Sequence, residues 1–340
     1  MNDPTVLSSR VRLARNYEDF PFELSGQPEV AQRCVSRTAN ALRLAGADKG
    51  FRLIQLSELT RTQRESLAEY HIISRDLLRS PETAAVLLKE DESVVIMINE
   101  EDHLRIQAVR AGLDLQGAAD SCFRVEDALS RQVSFAFDEQ WGYLTAYPTN
   151  TGTGMRASLL MHLPMLTLCK QMGDVGQIVA KVGLTIRGVY GEGSEALGNL
   201  YLVSNQVTLG RTEQELIAAV TAVGHQLADM ERALREKTMV DRRVFLEDNI
   251  YRSWGTMLYA RVMPMKEFYR VWSFVRLGAV MKLLPVTTER LDRMLEDVQD
   301  ANLRARAEIR LSDDALTEER ARVIRAMLNG PAQEKEMKAE

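Results

Sequence analysis

Arginine and glutamate side chains are concentrated in four short polar segments spread over the first two thirds of the 340-residue chain. The segments cover residues 8–16, 99–105, 148–158 and 187–195. A guanidinium is a fixed planar cation suited to phosphate oxygens, and a carboxylate is the natural partner of a guanidinium. A site that combined these segments could therefore hold a nucleotide triphosphate together with a guanidino substrate.

Phosphoryl transfer needs in-line positioning of donor and acceptor, and cations where negative charge spreads over the migrating group. Five arginines of the four segments are candidates to surround a triphosphate that carries Mg²⁺ between its oxygens. These candidate ATP-binding residues are Arg10, Arg12, Arg105, Arg156 and Arg187.

A guanidinium acceptor is protonated at neutral pH and becomes nucleophilic only when one nitrogen loses its proton. A carboxylate that is hydrogen-bonded to the guanidinium can fix its plane and accept that proton as the new bond forms. Glu101 and Glu192 are the candidates for this catalytic role.

Other ways of binding phosphate or metal are not predicted. No GxxxxGK[ST] sequence occurs, and the glycines at 191, 193 and 198 do not have GxGxxG spacing. His103 and His162 lack metal-ligand spacing with another histidine, so no metal site made by the protein is expected. A single arginine, or the acidic triplet 100–102 alone, would indicate only a solvated surface, and the co-occurrence of four segments favours a site.

Composition narrows the class of protein. The net charge of −5 disfavours a nucleic-acid binder held by general electrostatics. The three cysteines have no CxxC spacing, which favours a reducing cytoplasm over a disulfide framework or zinc site. The polar start of the chain and the lack of an apolar run of roughly 20 residues predict neither a signal peptide nor a membrane segment.

The pattern of apolar residues predicts the elements that must position these side chains. Helices are predicted near 29–44, 60–79, 126–139, 156–172 and 212–238. Strands are predicted near 93–99, 142–146, 183–189 and 198–204. The first strand would deliver Glu101 at its end, and the helix from 156 would add its amino-terminal amides to an anion site around Arg156. After about residue 250, three amphipathic segments near 262–283, 288–308 and 314–328 predict an all-helical region.

The four segments resemble the signatures of the guanidino (phosphagen) kinase family, which are similar to SxRVRxxR, NEEDHLR, PTNxGTxxRAS and RGxxGE. Extended through residues 161–164 and 187–199, the similarity is closer to the bacterial branch of the family, the protein arginine kinases. The resemblance covers roughly residues 5–255. It implies an α+β fold in which the antiparallel β-sheet of a guanido kinase catalytic domain is flanked by helices.

The resemblance also implies a division of the chain and a set of partners. Residues 1–250 would form the catalytic domain, residues 251–330 a small helical dimerisation domain, and residues 331–340 a flexible tail. The five arginines would hold the phosphates of MgATP, and Glu101 and Glu192 would engage the guanidinium. Implied partners are proteins with exposed arginines, an activating adaptor, a second copy of the chain and clients from the stress-response and proteolysis machinery, with neither nucleic acid nor membrane.

Kinases of this chemistry can act either on an arginine side chain of a protein or on a small guanidino compound. Arginine and creatine kinases carry a helical domain ahead of the first arginine motif, whereas this chain reaches Ser8 almost at once. Because that domain supplies part of a lid over small substrates, we expect a site open to an arginine side chain on another protein. The alternative is a kinase for free arginine or another small guanidino compound.

Two positions depart from the family. Tyr147 stands where the family usually has a cysteine that contacts the guanidinium; a tyrosine is bulkier and a far weaker acid than an activated thiol, though it can hydrogen-bond or stack on the substrate. This favours, as a further alternative, a nucleotide-binding relative with little turnover. Residues 316–321 keep only the last two residues of the family's phosphoarginine-binding RDxxRA motif, so regulation by phosphoarginine is not expected.

Overall fold

The structure, a computed structural model, describes residues 4–22, 27–190, 196–307 and 311–329. It divides into two compact units. The first comprises Met1–Leu160, Gly176–Ile186 and Leu202–His225, and the second Met161–Val175, Arg187–Tyr201 and Gln226–Glu340. No helix within the described ranges is both long enough and apolar enough to cross a membrane.

Ten strands and eleven α-helices make up the described chain. The strands are β1 Val6–Arg15, β2 Phe51–Gln55, β3 Ala85–Lys89, β4 Val94–Ile98, β5 Leu104–Ala111, β6 Phe137–Asp138, β7 Gly142–Tyr143, β8 Met155–His162, β9 Leu184–Tyr190 and β10 Ala196–Asn205. The helices are α1 Pro28–Leu44, α2 Arg61–Glu69, α3 Leu115–Ser130, α4 Pro164–Leu168, α5 Met172–Lys181, α6 Glu213–Asp241, α7 Arg243–Tyr259, α8 Met265–Val280, α9 Thr288–Asp297, α10 Asp300–Arg306 and α11 Asp313–Asn329. Two short 3₁₀ turns cover Leu56–Glu58 and Asp76–Arg79.

Eight strands form one antiparallel sheet in the order β2-β3-β4-β5-β1-β8-β10-β9, and β6 and β7 form a separate hairpin. The predicted α+β class with an antiparallel sheet and a helical carboxy-terminal part is confirmed. The order matters because β1 lies between β5 and β8. Three of the four polar segments are therefore on neighbouring strands, or directly beside them, at the centre of the sheet.

The register of the sheet decides which face each arginine occupies. In the antiparallel pairing of β1 with β5, Arg12 lies opposite Gln107 and Ala14 lies opposite Arg105. Directly opposed residues project from the same face, and neighbours along a strand alternate. Arg10, Arg12 and Arg105 consequently share one face, while the buried Val11 and Leu13 occupy the other, where α3 packs against β1 and β5.

Several predicted elements are present with small changes of boundary. The strand near 93–99 is β4, those near 183–189 and 198–204 are β9 and β10, and the helix near 29–44 is α1. The helix predicted from residue 60 begins with the expected capping box, in which Gln63 N donates to Thr60 Oγ1 over 3.3 Å and Thr60 N donates to Gln63 Oε1 over 2.9 Å. It ends at Glu69 rather than 79, and only a 3₁₀ turn follows.

Two helix predictions in the catalytic part are wrong. Residues 155–162 form strand β8 instead of the start of a helix, because a continuous apolar run fits a strand buried on both faces as well as a helix. The proposed contribution of helix amides to an anion site at Arg156 is therefore wrong too. The helix placed at 126–139 is α3, which begins eleven residues earlier, where the Asp114 side chain accepts from Gly117 N over 2.9 Å.

The second unit contains the helices α7 to α11, which begin at residue 243. Helix α7 was not predicted, and the segment predicted near 288–308 forms two helices, α9 and α10. Buried polar groups hold them. Ser273 bonds His162 Nε2 and Asn199 Nδ2, both over 2.8 Å. The guanidinium of Arg320 donates to Met263 O over 2.8 Å, to Val298 O over 2.9 Å and to Asp300. The arginine kept from the degenerate RDxxRA segment is thus a buried structural residue.

The hairpin beside the third polar segment gives a test of the fold. Gly142 has φ +73°, and a Cβ there would lie 2.5 Å from the backbone oxygen of Gly152. We expect Gly142→Ala to lower the free energy of unfolding by about 1–3 kcal/mol, since both the backbone conformation and the contact are incompatible with a side chain. Gly176→Ala, inside α5 with open space around it, should be neutral or stabilising by about 0.5–1 kcal/mol. Chemical denaturation of both variants measures the difference, and equal losses would contradict the hairpin geometry.

Candidate active site

Three arginines on the central strands lie close enough to repel one another. Burial, together with the positive charges of Arg10 and Arg156, lowers the pKa of the Arg12 guanidinium to about 10, while Glu100 and Glu101 act in the opposite direction. At neutral pH Arg12 still carries its proton. The cluster therefore forms a concentrated positive charge on one face of the sheet, suited to a polyphosphate.

Arg156 reaches this cluster because β8 lies directly beside β1. Ala14 N donates to Gly154 O over 2.8 Å, and the Ser158 hydroxyl donates to Arg10 O over 3.4 Å, so Arg156 falls beside Arg12. The close approach depends on Gly154, which has φ +61° and whose Cβ would lie 2.7 Å from Ala14 O. Glycine is the residue that permits both the conformation and the contact.

A small cavity marks the point where the motifs converge. It brings together Arg12, Arg105 and Arg156 of the predicted ATP-binding set with Glu101 of the predicted catalytic pair. Its lining consists of Arg12, Ala14, Glu101, Asp102, Arg105, Asn150, Gly154 and Arg156. Arg10 is not part of this lining, but its effect on the pKa of Arg12 places its charge beside the cavity.

Glu101 is half-buried and held by a neutral partner. Asn150 Nδ2 donates to its Oε1 over 3.0 Å. Burial raises the pKa of the Glu101 carboxyl, the charge of Asp102 raises it further, and Arg12 and the Asn150 hydrogen bond lower it. A carboxylate with a raised pKa is a better proton acceptor, as deprotonation of a guanidinium requires.

The next two residues of the same segment are anchors for the backbone. Asp102 is buried and accepts from Asn16 Nδ2 and Ala146 N, both over 2.7 Å. His103 is buried as well, with Nδ1 accepting from Tyr17 N over 3.0 Å, and burial lowers its pKa. These bonds tie β1 and the 143–150 segment to the acidic turn, which explains how Glu101 and Asn150 come to face each other.

Sequence reasoning overlooked two residues of the site. Asn150 lies in the segment that resembles PTNxGTxxRAS, but no function was predicted for it, because an asparagine in a glycine-rich loop usually indicates turn geometry. His71 had no signal, since its segment was predicted to be an ordinary surface helix. Burial, together with the charges of Arg10 and Arg75, lowers the pKa of His71 to about 4, so a neutral imidazole stands beside the arginine cluster.

Three predicted residues are not placed at this cavity. Arg187 lies exposed on β9 and belongs to the second unit. Glu192 falls outside the described residues. Tyr147 has an exposed side chain, while its backbone oxygen accepts from Asn150 N over 2.9 Å and from the Thr145 hydroxyl over 2.8 Å. The functional roles of these three residues stay predictions.

Comparison with known proteins identifies the class. A family model described as ATP:guanido phosphotransferase, C-terminal catalytic domain, matches residues 33–234, and one described as Protein-arginine kinase McsB C-terminal domain matches residues 243–339. The chain belongs to the ATP:guanido phosphotransferase family, which confirms the resemblance seen in its motifs.

Individual relatives show how much of the chain is similar. The chain is 40% identical over 326 residues to a protein-arginine kinase of Caldanaerobacter subterraneus subsp. tengcongensis, covering 95% of this chain and 97% of the relative. It is 44% identical over 286 residues to a protein-arginine kinase of Pelotomaculum thermopropionicum, covering 82% and 79%. Among solved structures, the duplicated taurocyamine kinase of Schistosoma mansoni with bound transition-state analogue components has a TM-score of 0.62 at 27% identity, over 69% of this chain and 34% of that one.

The hydrogen bond from Asn150 to Glu101 leads to a kinetic prediction. Asn150→Ala should lower kcat/KM for phosphoryl transfer by about ten-fold or more, because a hydrogen bond to a charged group contributes roughly 1.5–3 kcal/mol. The dissociation constant for ATP should change little, since the arginine cluster is intact. Steady-state kinetics and ATP titration measure both. Asn249→Ala on the exposed face of α7 is the control, and an equal loss of ATP affinity in Asn150→Ala would show that Asn150 does not act through Glu101.

Proposed function

We propose that the chain is a protein arginine kinase that transfers the γ-phosphoryl group of ATP to arginine side chains of proteins. The observation that carries this is that Arg12, Arg105, Arg156 and Glu101 line the same cavity. The identity of 40–44% to protein-arginine kinases over most of the chain supports a protein as the acceptor.

In the proposed reaction the phosphoryl group is transferred in line between donor and acceptor. The arginine cluster binds the phosphate oxygens and stabilises charge on the migrating group, with Mg²⁺ carried in by the nucleotide. A nitrogen of the acceptor guanidinium attacks phosphorus while Glu101 accepts its proton. The N–P bond of the phosphoramidate forms, the bond from the γ-phosphorus to the bridging oxygen breaks, and ADP leaves with that electron pair. We assign Arg187 to the phosphates and Glu192 to the substrate guanidinium as part of the same proposal.

The organisation and partners follow the same proposal. Residues 1–250 carry catalysis, and the helical region of residues 251–330 forms a homodimer interface. Protein substrates present exposed arginines, an adaptor activates the enzyme, and the reaction takes place in the cytoplasm. The match of residues 243–339 to the model of a protein-arginine kinase C-terminal domain supports this division.

A kinase for a small guanidino compound remains the second candidate. The observation in its favour is the likeness to a taurocyamine kinase at 27% identity. The two candidates are separated by supplying either free arginine or a basic test protein together with ATP and following ADP release. Turnover with free arginine and none with the protein would favour the second candidate.

Replacement of Glu101 tests the proposed base. Glu101→Gln should lower phosphoarginine formation on a test protein by about 10²–10⁴-fold, since the amide cannot accept the guanidinium proton. Mass spectrometry that avoids acid measures the product. Glu247→Gln, on α7, is the matched control and should keep full activity. Labelling by Glu101→Gln equal to that of the wild type would remove Glu101 from the mechanism.

Replacement of Tyr147 distinguishes an active kinase from a nucleotide-binding relative with little turnover. Because its side chain is exposed and its backbone oxygen is bonded within the loop, we expect Tyr147→Phe to keep kcat within a few-fold of the wild type. ADP release in the presence of protein substrate measures this. ATP binding without turnover in the wild type, and turnover gained in Tyr147→Cys, would instead identify a relative that has lost activity.

A further inference from the structure

Glu100 connects Arg105 of the candidate site with the segment that contains Ser74, a link that the proposed mechanism does not use. Its side chain is only 1% exposed, and it directly precedes Glu101 after β4. The guanidinium of Arg105 and the hydroxyl of Ser74 both donate to its Oε1. Its other oxygen, Oε2, is buried and has no hydrogen-bond partner among the residues that the structure describes.

The first connection concerns Arg105. An arginine side chain has considerable rotamer freedom, and part of that freedom must be lost when the guanidinium binds phosphate. The ion pair with Glu100 removes it in advance, with Arg105 facing the cavity beside Ala14 and Glu101. Preorganised cations stabilise transferring phosphoryl groups more effectively than mobile ones.

The second connection concerns the segment after α2. Ser74 Oγ accepts from Leu77 N over 3.1 Å, and Ser74 N donates to Met97 Sδ over 3.3 Å, so the 3₁₀ turn at Asp76–Arg79 is fixed to β4. The same segment contains His71, whose backbone oxygen accepts from Gln107 Nε2 over 3.1 Å. A rearrangement at Glu100 would therefore reach Arg105 and the 71–79 segment together.

We infer that Glu100 is a positioning residue, which orients Arg105 toward the nucleotide phosphates and fixes the 71–79 segment to the same point through Ser74. This inference rests on the proposed use of a nucleoside triphosphate. It assigns different tasks to the adjacent carboxylates: Glu101 acts on the acceptor guanidinium, whereas Glu100 acts on nucleotide binding through another side chain.

The electrostatic surroundings make this role sensitive to pH. Burial, together with the charges of Glu101 and Asp76, raises the pKa of the Glu100 carboxyl to about 7. The Ser74 hydrogen bond and Arg12 oppose the increase, and Arg105 pairs with the charged form. As the pH falls through about 7, Glu100 takes up a proton, its charge is lost, and its hold on Arg105 weakens. ATP binding should weaken in the same interval.

A double-mutant cycle tests the inference. We expect Glu100→Gln to weaken ATP binding at pH 8 by about 10–100-fold, since misplacing a positioned group by about 1 Å has effects of that size. The variant Glu100→Gln/Arg105→Ala should bind ATP no more weakly than Arg105→Ala alone, because Glu100 acts through Arg105. Between pH 6 and 8 the wild type should show a change in ATP affinity that is absent from Glu100→Gln. Asp292→Asn, which removes the charge from the Arg276 ion pair of the second unit, is the matched control.

Three results would overturn the inference: unchanged or tighter ATP binding by Glu100→Gln, additive losses in the double variant, or the same pH dependence in Glu100→Gln as in the wild type. If Glu100→Gln does not fold, Ser74→Ala and the wild-type pH profile decide. Unchanged affinity in Ser74→Ala with a flat profile would again overturn it. Failure of the wild type to phosphorylate protein, with the coupling present, would count against the proposed function and leave this inference standing.

Discussion

Repulsion among guanidinium groups on one face of the central sheet is the constraint on which the site depends. Antiparallel register places Arg10, Arg12 and Arg105 on that face, and β8 adds Arg156. A slip of one residue in β1 would turn these cations toward the core and expose Val11, so the apolar face fixes the polar one. Packing of the apolar face against α3 thus fixes the register that places these like charges side by side.

The two carboxylates beside the arginine cluster, Glu100 and Glu101, have different hydrogen-bond partners. Glu100 is paired with a full positive charge, whereas Glu101 is held by the neutral amide of Asn150. A carboxylate whose partner is neutral keeps its charge available for a second cation, such as a substrate guanidinium. The adjacent acids therefore differ both in burial and in partner: Glu100 is almost fully buried and ion-paired, whereas Glu101 is half-buried and bonded to an amide.

The sequence predicted the chemistry more fully than the elements that carry it. Arg12, Arg105, Arg156 and Glu101 were identifiable because few functions require such residues together. The strand containing Arg156 was predicted as a helix, since an apolar run has no period that distinguishes a doubly buried strand. His71 and the Glu100–Ser74 connection could not be predicted, because they depend on contacts between segments 26 or more residues apart. Element type is local in origin, whereas these contacts arise only from tertiary packing.

Tyr147 has a consequence for redox chemistry. Both cysteines of the first unit, Cys34 and Cys122, are buried, and burial raises the pKa of each thiol to about 12, so neither forms a ready thiolate. The exposed Cys169 belongs to the other unit. Tyr147, at the position where the family resemblance implies a cysteine, supplies no thiol, and the lining of the cavity at Arg12 and Glu101 contains no cysteine among the described residues. Within the described part of the first unit, oxidants therefore meet no readily formed thiolate.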